Sequence, residues 1–160
     1  MLTHTAANLS ATQRAAQALA ALLEPRDLVV LSGDLGAGKT AFAQALARAL
    51  GITAPVTSPT YAIARVYEGP LRLHHLDVYR LGDADELMDL DLPAMVEEEA
   101  VTLIEWGERF GDDLPAPWLW IRIDHDDADF DRRVLTFEDV GGAWTARLPR
   151  LATLLAAPEA

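Results

Sequence analysis

The sequence contains no cysteine and only one lysine, Lys39; arginine supplies every other permanently cationic side chain. The first absence excludes disulfides, thiolate metal sites and a cysteine nucleophile, and it leaves the redox compartment open. Positive charge is scarce overall, with 13 Lys and Arg against 25 Asp and Glu and a formal net charge of −12. Such a surface repels polyanions and has no basic stripe, so DNA binding and unaided RNA binding are not expected. Long apolar runs are also missing. No stretch is long enough to span a bilayer, and the N-terminus lacks the basic region and apolar core of a signal peptide. A soluble, cytoplasmic protein without a membrane partner is therefore expected. Asparagine is almost absent while alanine abounds, which reads as a compositional bias, and no internal repeat is visible. Hydrophobic residues make up 51% of 160 positions, which suffices for one domain with a sizeable core, spanning 1–160, and not comfortably for two.

Against that background one stretch stands out. Gly33-Asp34-Leu35-Gly36-Ala37-Gly38-Lys39-Thr40 fits the phosphate-binding loop G-x-x-x-x-G-K-[ST] at every fixed position. The apolar run Asp27 to Ser32 precedes it as a buried strand would, and Thr40 to Leu50 follows without a helix breaker. Three glycines let the backbone curl so that successive N–H groups point at anionic oxygens, and the helix N-terminus adds partial positive charge. Lys39 can reach the β- and γ-phosphates of a nucleoside triphosphate, and the Thr40 hydroxyl can ligate a bridging magnesium ion. The alternative is a strand-to-helix turn that happens to be rich in glycine. Against it, the sole lysine stands where a compact, flexible point charge is needed.

The rest of the chain arranges itself around this loop. Ser10 to Leu23 has helical apolar spacing, with Ser10 as a cap, and Gly51 is placed to stop the loop helix. Ser58-Pro59-Thr60 reads either as a polar turn or as a switch sensing the γ-phosphate. Tyr61 to Tyr67 and Leu71 to Val78 alternate around Glu68-Gly69-Pro70 as a β-hairpin, so the sheet should be mixed. His74 and His75 are strand neighbours pointing to opposite faces and are poorly placed to chelate one ion. Asp77, near that strand's end, could orient water or the magnesium shell, or be an exposed acid paired with Arg80.

Gly82 to Ala100 is acidic and interrupted by leucines, a short helix plus an irregular connection, with either a solvated or a partner-docking face. Ala100 to Trp106 is an apolar strand ending in Glu105, as in a Walker B segment delivering a carboxylate to magnesium. Trp118 to Asp124 and Arg132 to Glu138 are further strands around an acidic turn, and Arg132 or Arg133 beyond it could approach the nucleotide. The tail, about 146–157, reads as a helix with Leu148, Leu151, Leu154 and Leu155 in one packing stripe.

The loop octapeptide, then Ser58-Pro59-Thr60-Tyr61, then His75-Leu76-Asp77-Val78-Tyr79-Arg80-Leu81, then Leu103-Ile104-Glu105-Trp106, together resemble the bacterial TsaE (YjeE) family, over about 10–140. The resemblance implies an α/β fold, a P-loop NTPase-like three-layer sandwich with a mixed β-sheet flanked by helices. It also implies an ATPase that binds and hydrolyses Mg-ATP. That ATPase supports threonylcarbamoylation of the adenosine beside the anticodon in tRNA, acting with TsaD and TsaB and meeting tRNA only through that complex.

Carried over by position, Asp34, Leu35, Gly36, Ala37, Gly38, Lys39, Thr40 and Ala41 would hold the nucleotide, with Lys39 and Asp77 needed for hydrolysis. Thr40 and Glu105 would hold magnesium, Thr60 would belong to the switch, and Thr12, Trp106, Glu108 and Arg133 would lie at the nucleotide. Gly107 stands where the family usually has proline. A small-molecule P-loop kinase is the alternative activity, though the stretch between the hairpin and Glu105 is acidic rather than arginine-rich. A GTPase would normally carry an Asn-Lys-x-Asp motif, which this sequence, with Lys39 as its only lysine, cannot contain.

Overall fold

The computed structural model describes residues 1–58 and 63–157. Along the chain come β1 (Leu2–Ala6), α1 (Leu9–Ala20), β2 (Leu28–Ser32), α2 (Lys39–Ala49), β3 (Ala64–Tyr67), β4 (Arg72–Asp77), α3 (Ala84–Met88) and α4 (Leu92–Glu97). β5 (Ala100–Glu105), a 3-10 helix (Gly107–Asp113), β6 (Trp118–Asp126), β7 (Asp129–Val140) and α5 (Leu148–Leu155) complete it.

The strands form one mixed sheet in the order β1-β7-β6-β2-β5-β4-β3. β6, β2, β5 and β4 run parallel, while β3 and β7 pair antiparallel to their neighbours. β2 is buried at all five positions, as a central parallel strand covered on both faces must be. Its alternate side chains feed two cores. Val29 and Leu31 join Leu19, Phe42, Leu46 and Leu151 under α1, α2 and α5, while Leu28 and Val30 join Leu87, Leu92 and Phe110 under α3, α4 and the 3-10 helix. This is the three-layer arrangement expected. Among the described residues no helix is long and apolar enough to cross a membrane.

Several local expectations change. α1 is capped by Asn8, whose Oδ1 accepts the Ala11 N–H at 2.9 Å; Ser10 lies inside the helix and receives Arg14. The N-terminal strand β1 was not expected. Leu2-Thr3-His4-Thr5-Ala6 alternates weakly and becomes a strand because it pairs along the edge of β7, Leu2 opposite Phe137. The acidic stretch holds two short helices rather than one. β6 and β7 extend further toward the acidic turn than read from sequence. In α5, Leu148 and Leu151 are buried but Leu154 is 41% exposed, so the packing stripe is narrower than four leucines.

Candidate active site

Parallel strands deliver their carboxyl ends to one edge of the sheet, and three of them, β2, β4 and β5, build the site there. The chain leaves β2 through Gly33, with φ of +142°; a Cβ at Gly33 would run into the backbone carbonyl oxygen of Ile123 on β6. Gly36 (φ +81°) and Gly38 (φ +110°) have open space around them, so glycine is needed there for backbone conformation rather than for room. Gly38 then hands the chain to α2, whose first residue is Lys39.

Lys39 is only 6% exposed. Its ammonium donates to the carbonyls of Gly33 at 2.6 Å and Asp34 at 2.8 Å, closing the loop on itself. It also sits 3.9 Å from the centre of the Trp106 ring. Burial lowers its pKa, against the pull of Glu105, Glu108, Asp34 and Asp77, which favours the charged form.

Asp77 and Glu105 end adjacent parallel strands and lie directly opposite each other in the ladder. Asp77 accepts the Ser58 hydroxyl at 3.1 Å and the Tyr79 N–H at 3.0 Å, an Asx-type turn that ends the strand. Glu105 is buried, and its Oε1 lies 2.8 Å from Nε2 of His75, also buried. Trp106 follows in a left-handed conformation (φ 65°) and donates its N–H to Leu31. Its ring packs 4.9 Å from that of Tyr79. Gly107 is buried, and a Cβ there would approach Ile104 and Val30 within 3.0–3.1 Å, so this turn is held closely against the sheet.

These elements enclose a cleft of about 970 Å³. Leu35, Gly36, Gly38, Lys39, Thr40 and Ala41 of the loop and α2 line it together with Asp77, Glu105 and Trp106. Asp34 and Ala37 belong to the loop through their backbone, the Ala37 N–H donating to Asp34 O at 3.0 Å. Arg133, on β7, braces the loop from behind by donating Nε–H to the Ala37 carbonyl at 2.9 Å. Arg132 turns instead to Asp126 and Asp129.

Glu108 lies outside the cleft lining but within the field of Lys39; burial raises its pKa against its own backbone hydrogen bond, Lys39 and Arg109. Thr12 is not brought to the cleft: it is buried in α1, its hydroxyl donating to Asn8 O. Thr60 lies outside the described residues, as do Pro59 and Tyr61. The two histidines point apart as expected, His74 to Glu98 and His75 to Glu105. No metal-binding cluster of three His, Asp or Glu exists among the described residues. Sequence reasoning missed His75 as a partner of Glu105, and the signal available was its position two residues before Asp77, on the same strand face.

A buried parallel strand, a glycine loop closed by the lysine that opens the next helix, and two acids on neighbouring strand ends define a P-loop NTPase-like protein. Within that class the chain belongs to the TsaE family: the family model described as Threonylcarbamoyl adenosine biosynthesis protein TsaE matches residues 6–134. It is 41% identical over 138 residues to the tRNA threonylcarbamoyladenosine biosynthesis protein TsaE of Bacillus subtilis, covering 86% of this chain and 85% of that one. It is 46% identical over 134 residues to the protein of the same description from Streptomyces coelicolor, covering 79% and 88%. The crystal structure of Bacillus subtilis YdiB superposes with a TM-score of 0.78 at 34% identity, over 95% of this chain and 94% of that one.

Proposed function

We propose that this chain is a magnesium-dependent ATPase acting in tRNA threonylcarbamoyladenosine biosynthesis with TsaD and TsaB, through which alone it meets tRNA. The observation that carries this reading is the convergence of Lys39, Thr40, Asp77 and Glu105 on one cleft at the carboxyl edge of the sheet. The loop N–H groups and the start of α2 favour phosphate oxygens there. Lys39 is held by the Gly33 and Asp34 carbonyls in reach of the outer phosphates. The site fits magnesium by donor chemistry: the Thr40 hydroxyl and the Glu105 carboxylate are hard oxygens, and magnesium favours one or two carboxylates plus substrate phosphates over an all-protein cage. When bound, the ion neutralises charge on the β- and γ-phosphates. Asp77, fixed by Ser58 and the Tyr79 N–H, orients water for in-line attack on the γ-phosphoryl, and the rate comes from positioning and charge neutralisation.

The test is phosphate release from ATP by the purified protein, alone and with the TsaD–TsaB pair, with Asp77→Ala as control. Slow release that changes with the pair and disappears in the variant is expected. Release indifferent to both overturns the reading, and phosphate appearing on an added metabolite rather than in water would make the protein a kinase.

A further inference from the structure

We propose that His75 is a positioning residue for magnesium: its Nε2–H holds Glu105 Oε1, so that the second carboxylate oxygen is presented to the ion in the cleft. This rests on the magnesium-dependent nucleotide site argued above and assigns a task to a side chain that site has not used. His75 is 0% exposed and Glu105 is 2% exposed, so the contact between them is shielded from water. Their contact of 2.8 Å is short, and a carboxylate can only accept, so the ring nitrogen donates.

Nδ1 of the same ring is buried without a hydrogen-bond partner. The Tyr67 ring lies 6.5 Å away, and the Tyr67 hydroxyl is engaged with the backbone of Thr57. Among the described residues the only hydrogen bond of the His75 side chain is therefore the one to Glu105. A buried imidazole with one nitrogen unsatisfied is costlier than an aliphatic chain of similar volume. That cost is offset if the ring fixes a carboxylate rotamer. The register explains the reach: His75 pairs with Leu103 and Asp77 with Glu105, so the ring and both carboxylates share the sheet face covered by α2, where Lys39 and Thr40 begin. A ligating carboxylate hydrogen-bonded through one oxygen keeps its other oxygen in a fixed direction, and loss of such support typically costs ~10–100-fold in metal affinity.

The experiment uses the full chain and a fluorescent, non-hydrolysable ATP analogue, titrated with and without Mg²⁺, in the wild type and in His75→Gln and His75→Asn. Glutamine places an amide N–H near the position of Nε2; asparagine places it at Nδ1, too far from Glu105. The expected result is magnesium-free binding within about two-fold of wild type in both variants, a ~10–100-fold loss of Mg²⁺ affinity in the asparagine variant, and recovery of most of it by glutamine. Hydrolysis should show the same order in its Mg²⁺ requirement. Equal Mg²⁺ affinity in all three proteins, or an equal loss in both variants, overturns the proposal.

If the asparagine variant fails to fold, ¹⁵N spectra of the unmodified protein decide: Nε2 protonated and Nδ1 bare is expected, and an Nδ1–H ring overturns it. Absence of any Mg²⁺ effect in the wild type would instead defeat the underlying magnesium-dependent reading and leave the His75–Glu105 bond as a feature of the core.

Discussion

Lys39 carries two tasks with one ammonium. In the free protein it satisfies the carbonyls of Gly33 and Asp34, and it is attracted by Glu105, Glu108, Asp34 and Asp77. Replacing it with methionine keeps an unbranched apolar chain of similar length and removes the charge that lies over the Trp106 ring. Phosphate release should fall by ~10²–10³-fold, the scale of losing one preorganised charge-stabilising donor, while the melting temperature should fall only modestly, because the Gly33 and Asp34 carbonyls lose their donor but the desolvation cost of a buried charge is removed with it.

Glu108 gives a second residue-level test, through pH. Its folded-state pKa is raised, first by burial, above an unfolded value of about 4.3. The folded state therefore holds this proton more tightly. The associated stability is fully present below about pH 4 and is lost as pH rises through the raised folded value. Glu108→Gln has no such loss, so its melting temperature relative to wild type should increase between pH 4 and pH 7. A difference that instead falls between pH 4 and pH 7 would mean that attraction to Lys39 outweighs burial.

The glycine loop and the terminal helix make opposite demands on the elements that carry them. At Gly33 a side chain meets the Ile123 carbonyl, so Gly33→Ala must push β6 away from the loop. At Gly36 a side chain meets nothing, and only the positive φ is unfavourable, a cost of roughly 1–2 kcal/mol. Gly36→Ala should thus fold and retain measurable nucleotide binding, whereas Gly33→Ala should lose both, as read by thermal unfolding and analogue titration.

α5 is fastened at the far end of β2. Arg147 makes a bidentate pair with Asp27 at 2.6 and 2.7 Å, donates to Leu22 O and stacks on Trp144 at 3.8 Å. Both side chains of the pair are about nine-tenths buried. Arg147→Ala strands the Asp27 carboxylate and should cost about 3 kcal/mol, lowering the melting temperature by ~6–12 °C. Nucleotide affinity should be unchanged, because the pair lies at the end of the sheet opposite the cleft.

These two elements also show what the sequence makes legible. The loop is read locally, because phosphate recognition there needs fixed residue types at fixed spacing, and the hairpin of β3 and β4 announces itself by alternation. Arg147 and Asp27 are 120 residues apart, and His75 meets Glu105 across a ladder, so nothing local marks either pair. β1 is a strand because β7 has an open edge, which is a tertiary fact. Thr12 and Glu108 came from family likeness rather than from residue chemistry, and neither lines the cleft.

For the whole molecule the decisive quantity is charge. Of a net −12, Glu86 and Asp89 of the acidic stretch line the cleft, together with Arg80. Protein–tRNA affinity comes mainly from neutralised phosphates and released counterions, and a chain with 13 Lys and Arg against 25 Asp and Glu has few cations to provide them. On the function proposed above, the chain meets tRNA only through its partners, and the cleft is where a partner would act on the nucleotide. Arg133 directs its donors to the carbonyls of Ala37, Phe130 and Arg132, bracing the loop rather than reaching across to the outer phosphate. A cation completing the site from TsaD or TsaB could raise turnover by ~10³–10⁵-fold. The chain alone should accordingly show no tRNA binding at physiological salt, with or without Mg-ATP, by anisotropy of labelled tRNA. Adding it to TsaD–TsaB should leave the salt slope of tRNA binding unchanged while altering phosphate release. A salt-sensitive tRNA affinity of the isolated chain would show that a local cationic face outweighs its overall charge, and the partner-only route to tRNA would fall.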